Sequence, residues 1–138
     1  MRGLLATMLA AAVVGAGAAA ATPGATIRGR LQKAHYPIYA PPGASAIRPR
    51  PQDTFYTVAD FASAHAFWFL VYVYATPAIA ASAQEALSEK IVSGPSRVGR
   101  DGRTVFLGTT APLNRTQGLP PVLPARDFAR LVALAEGR

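Results

Sequence analysis

The sequence predicts an α+β protein, a small two-layer sandwich whose three- to four-stranded sheet carries two helices on one face. Three observations predict it. Phe67-Trp68-Phe69-Leu70-Val71-Tyr72-Val73-Tyr74 is an aromatic and β-branched run, apolar at odd and even positions alike, as a central strand buried on both sides reads. Two apolar stripes at helical spacing follow, one opening at Thr76-Pro77 and the other at Pro124. Between them, Asp101-Gly102 separates two short strand-like runs and signals a hairpin.

The chain of 138 residues opens with a different kind of segment. Arg2, an apolar run from Leu4 to Val14 and the small residues Ala18 to Ala21 have the layout of a secretory signal peptide spanning 1–21. Ala18/Ala20 and Ala19/Ala21 both offer small side chains to a signal peptidase, so the mature chain is expected to begin near Ala21 or Thr22. An uncleaved anchor is the alternative. Arg28, Arg30 and Lys33 would then flank its outer end, against the positive-inside preference. The expected address is the periplasm or the extracellular space, reached by general export, because no Arg pair precedes the apolar core. Twelve Arg against two Lys, with abundant Ala, Gly and Pro, is the coding bias of a GC-rich bacterium; the sequon at Asn114 is then idle.

Residues 22–52 read as a basic, proline-rich extended arm. Pro37, Pro41, Pro42, Pro49 and Pro51 fix φ and remove donors, so neither helix nor central strand is expected there. Tyr36, Ile38 and Tyr39 favour burial and should lay part of the arm along the folded body. The charge is uneven: Arg28, Arg30, Lys33, Arg48 and Arg50 stand in the arm without an acid, whereas cations and acids nearly balance from Asp53 onward.

The folded domain is expected over 53–138, long enough for one core and too short for two. Residues 54–61 fit either a strand, with Phe55, Thr57, Ala59 and Phe61 on one face, or a helix through Val58, Phe61, Ala62 and His65. The central strand runs about 66–75. The charge-free stretch around it contains only about ten strongly apolar residues, half of what a helix needs to cross a bilayer. Thr76 can cap and Pro77 can open a helix over about 77–91, with Ile79, Ala83, Ala86, Leu87 and Ile91 on one face and Ser82, Glu85, Ser88 and Glu89 on the other. A hairpin over about 96–107 follows, with Arg100 opposite Arg103, and its first strand parallel to the central strand if they share a sheet. The last helix, about 124–136, aligns Phe128, Leu131, Val132 and Ala135 and ends before Gly137.

Composition excludes several chemistries. With no cysteine there are no disulfides, thiolate nucleophiles or cysteine metal sites, and the fold depends on packing alone. The serines form no G-x-S-x-G elbow, and His35 and His65 have no metal-ligand spacing, so neither cofactor nor metal is expected. A hydrolase would need His65 to converge with a carboxylate such as Asp60. Glu85 and Glu89 share a helix face, but a solvated one. The strand–helix–strand order closing on Gly102-Arg103-Thr104-Val105-Phe106-Leu107-Gly108 resembles half of a bacterial cell-wall glycan-binding domain of the sporulation-related type over about forty residues; no motif diagnostic of that family is present.

What remains points to binding. The expectation is a small exported, non-enzymatic binding or accessory protein of the bacterial cell envelope, its partner an anionic envelope component or another envelope protein. Nucleic acid is not expected, nor is a membrane span after cleavage. The alternative is a module for an anionic glycan, wall polymer or lipid headgroup, with Arg97, Arg100, Arg103 and Arg115 around the hairpin and Arg28, Arg30 and Lys33 in the arm as candidate ligands.

Overall fold

The computed structural model describes residues 22–43, 47–61, 65–90, 96–110 and 122–138. Residues 1–21, read from sequence as a signal peptide, and Asn114 and Arg115 lie outside them. The order is α1 (Pro23–Lys33), β1 (Asp53–Phe61), β2 (His65–Val73), α2 (Pro77–Lys90), β3 (Ser96–Asp101), β4 (Thr104–Thr110) and α3 (Ala125–Glu136). The four strands form one antiparallel sheet in the order β1-β2-β4-β3. The α+β class and the strand count are those expected from sequence. β2 and β3 do run the same way, but β4 is inserted between them, so they are not neighbours.

Alternation along the strands builds the main core. Phe55, Ala59, Phe67, Phe69, Val71, Val73 and Phe106 project from one face and meet Ile27 and Leu31 of α1, Leu123, and Phe128, Leu131 and Ala135 of α3. Phe69 stacks on Phe106 at 5.6 Å and tilts against Phe128 at 5.9 Å. Phe128 approaches the sheet so closely that a Cβ on Gly108 would lie 2.6 Å from its ring, which makes glycine a packing requirement there. The segment 54–61 is thus resolved in favour of a strand, with Phe55, Thr57 and Ala59 buried together. The central strand is His65–Val73, and Phe67, Phe69, Val71, Tyr72 and Val73 are buried; Trp68 and Leu70 on its second face are only half-buried, so the expected burial on both sides holds only at its C-terminal end. Among the described residues no helix is long and apolar enough to cross a membrane.

The arm departs from expectation. Residues 23–33 are helical because the prolines lie beyond them: Pro23 occupies the tolerated first turn, and Thr22 Oγ1 accepts a hydrogen bond from the Ala25 N–H at 3.2 Å. Ile27 and Leu31, one helical turn apart, are buried against the sheet and α3. Beyond α1 the described residues of the arm carry no helix; turns at 34–35 and 42–43 bend it, and Tyr39 pairs with the sheet. Tyr36 and Ile38 pack on the core, and Tyr39 exchanges two 2.9 Å backbone hydrogen bonds with Tyr56 along the outer edge of β1.

With α1 beside α3 on that face, the two-helix layer comprises α1 and α3 rather than the helices at 77 and 124. α2 belongs to the opposite face, where Ala80 and Ala83 pack on Tyr72, Tyr74 and Val105. The Thr76 cap forms as expected, the Ile79 N–H donating to Thr76 Oγ1 at 3.2 Å. The buried stripe is rotated, however: Ile79 is exposed, and Ala80 takes its place. The hairpin register also differs, since Arg100 stands opposite Val105 and Asp101 opposite Thr104. The turn is Gly102-Arg103 with φ +59° at Gly102, because a primed turn of this type needs positive φ only at its first central residue, which glycine adopts without strain. The anticipated Arg100–Arg103 opposition across the strands is therefore absent.

Candidate binding surface

The basic residues singled out in the sequence do not form one patch. Arg28 makes a bidentate pair with Asp53 at 2.6 and 2.8 Å and lies 4.4 Å from the centre of the Phe55 ring, clasping α1 to β1. Arg30 Nη1 donates to the Ala135 carbonyl at 2.7 Å and joins α1 to α3. Arg97 Nε donates to the Leu123 carbonyl at 2.6 Å. Arg100 donates to Gln84 Oε1 and to the Gly102 carbonyl, and Arg103 reaches Gln52 Oε1 at 3.4 Å. Lys33 is exposed, and Arg115 lies outside the described residues. Much of the guanidinium donor capacity thus serves the fold itself, a use that charge counting along the chain does not reveal.

Two of these arginines do share a concavity. A cleft of about 360 Å³ opens between α1, the β3–β4 turn and the end of α3, lined by Arg30, Arg103, Thr26, Asp101 and Glu136 among others. Its charges are mixed. Asp101 hydrogen-bonds to Glu136, which raises the Asp101 carboxyl above its ordinary value; slight burial and the Glu136 charge add to this, and Arg138, paired with Glu136, opposes it. A raised folded-state value means that the fold favours protonated Asp101. That contribution is complete below the unfolded value of about 3.9 and is lost as pH rises through the folded value. Asp101→Asn is therefore expected to raise the melting temperature at pH 7 and to bring no advantage near pH 3. Equal shifts at both pH values would show that the Asp101–Glu136 pair has no bearing on stability.

Neither His35 nor the carboxylates complete a nucleophile–base arrangement among the described residues. Asp60 is exposed and stands opposite Ala66, at the same end of the β1–β2 hairpin as His65, whose side chain is outside the described residues. Glu85 and Glu89 are both exposed on α2, the solvated position expected of them.

A surface the sequence did not single out is better defined. On the second face, α2 packs over β3, β4 and the Tyr72 end of β2, and among the described residues Tyr56, Val58 and Trp68 on the β1–β2 side stay partly exposed. Even-numbered residues of β1 and β2 point there. Tyr39, Tyr56 and Trp68 form a row of tilted rings with centroids 5.3 and 5.6 Å apart, and Val58 stands opposite Trp68. Tyr39 and Val58 are 45% and 37% exposed; Tyr56 and Trp68 are half-buried. In the sequence Trp68 reads as one more core aromatic, because periodicity identifies two faces but not which half of a face a helix will cover. The only advance signal was Tyr36-Pro37-Ile38-Tyr39, too apolar for a free linker.

No family model, curated protein or solved structure matches this chain.

Proposed function

We propose that the protein is an exported, non-enzymatic accessory protein of the bacterial cell envelope that works by binding another envelope protein through the Tyr39–Tyr56–Trp68 row. Export is supported by the charged start, apolar core and small-residue pairs of residues 1–21. The row carries the binding reading. Clustered, partly exposed Tyr and Trp beside an exposed Val on a sheet face are the composition of a protein-contact centre, where large rigid side chains supply contact area at low entropic cost. The anionic reading draws less support, because Arg28, Arg30, Arg97 and Arg100 already hold partners within the fold.

Cell fractionation with N-terminal sequencing tests the address, and a processed chain beginning near Ala21 or Thr22 is the expected result. A photo-crosslinking residue at Val58 is expected to yield a discrete protein adduct, whereas one at exposed Gln32 of α1 is not. Tyr39→Ala should reduce the Val58 adduct about tenfold, the effect of losing one contact worth more than about 1 kcal/mol, while lowering stability by about 1 kcal/mol through the lost Tyr39–Tyr56 ring contact. Equal adducts at both positions, or crosslinking to glycan instead of protein, would overturn this assignment.

A further inference from the structure

A second cavity, separate from the aromatic row, lies under α2. Ala83, Ala86, Leu87 and Lys90 recur at helical spacing along one stripe of the helix and face Tyr72, Tyr74 and Ile47. The two alanines cause the space. Where leucines would fill the gap between helix and sheet, methyl groups leave a cavity of about 200 Å³. Its inner wall is apolar and buried, formed by Ala83, Tyr72 and Tyr74. Its outer lining includes two exposed cations, Lys90 and Arg48, and no acid; Arg48 Nη1 already donates to the Ile47 carbonyl at 2.9 Å, so Lys90 is the principal charge at the mouth. Burial, together with the neighbouring Tyr74, pushes the Tyr72 phenol up to about 12, and burial raises Tyr74 as well, so both rings stay neutral well above physiological pH.

We infer that this cavity binds a small amphipathic anion, a medium-chain carboxylate whose hydrocarbon tail lies against Tyr72, Tyr74, Ala83 and Leu87 and whose charged head meets Lys90 and Arg48. The size sets the class. The volume falls below the roughly 300–1,000 Å³ of sites for drug-sized ligands, so a chain of about eight carbons is the appropriate occupant. The sign of the charge follows from the lining: Lys90, with the partly engaged Arg48 beside it and no acid among the lining residues, favours an anionic head, and the neutral aromatic floor excludes a second charge. Lys90 stands in the last turn of α2, where it also offsets the partial negative charge of the helix end that would otherwise repel an anion.

Octanoate is the probe, added to the purified protein and followed by NMR chemical shifts and calorimetry. Saturable binding is expected, with shifts concentrated on Tyr72, Tyr74, Ala83 and Leu87. Octan-1-ol, which lacks the charge, should bind about tenfold more weakly, and butyrate, which lacks the tail, weaker still. Lys90→Ala should cost octanoate about tenfold while leaving octan-1-ol unchanged. Ala86→Phe, which fills the cavity, should abolish binding. Should that variant lose its near-UV spectrum, the wild-type shift map and the octanoate-to-octanol ratio decide alone. Shifts mapping elsewhere, equal affinity for acid and alcohol, or no saturation would each overturn the inference. None of these outcomes depends on the aromatic row or on export.

Discussion

Replacing Val71 with Asp is expected to leave no folded protein. Val71 is fully buried in β2, between β1 and β4, and its side chain enters the core shared with α1 and α3. An ionised carboxylate there carries an effective penalty of several kcal/mol, and neutralising it still strands polar oxygens among Phe69, Phe106 and Leu131. A domain of this size has only about 5–15 kcal/mol to lose. Val73→Asp should behave alike, since Val73 lies on the same face and is 2% exposed. Val58→Asp is the control: on the open half of the other face the carboxylate stays hydrated, and the melting temperature should change little. Thermal melts followed by circular dichroism separate these outcomes. A cooperative melt of Val71→Asp near that of wild type would show that β2 is not the centre of the core.

The second large effect concerns the segment read from sequence as a linker. Deleting residues 22–52 is expected to abolish folding rather than shorten a tether. Ile27 and Leu31 cover the sheet beside α3, Arg28 holds Asp53, and Arg30 holds the end of α3, so removal exposes Phe55, Phe67 and Ala135 together. Leu31→Ala isolates the packing part. Leu31 is fully buried, and truncation of a buried leucine costs about 2–5 kcal/mol through lost transfer energy and the cavity left behind. Urea melts of the substituted chain should show a lower midpoint with an unchanged slope. A chain of residues 53–138 that melts like the intact protein would restore the linker reading.

These two cases show how unevenly the fold is legible. Val71 was identifiable as core because a run of eight aromatic and branched residues has no other soluble use at that length. The Thr76-Pro77 start and the Phe128-Leu131-Ala135 stripe were equally plain, since capping and helical periodicity are local properties. α1 was not legible. Two glycines and a single apolar pair in eleven residues make a weak isolated helix, stable only when tertiary contacts cover Ile27 and Leu31. The turn register was missed for a related reason: Asp101-Gly102 and Gly102-Arg103 are both acceptable turn centres, and cross-strand packing of Val98 with Leu107 selects the second.

The candidate sites divide the same way. Charge in the arm is countable along the chain, but whether Arg28 or Arg30 faces solvent, a carboxylate or a carbonyl depends on what folds against it. The aromatic row exists because α2 covers β3 and β4 and stops short of β1, and the cavity exists because Ala83 and Ala86 happen to face two tyrosines. By itself the sequence determined the α+β class, the apolar central strand, the cysteine-free core and the positions of the two later helices. Each of these follows from side-chain periodicity and local backbone preference. Only the tertiary structure decided the strand order, the faces on which the helices lie, the use of the arginines as internal clasps and the surfaces left open. Those depend on which apolar groups reach one another first across long stretches of chain, and burial, unlike periodicity, is not a property of neighbours in sequence.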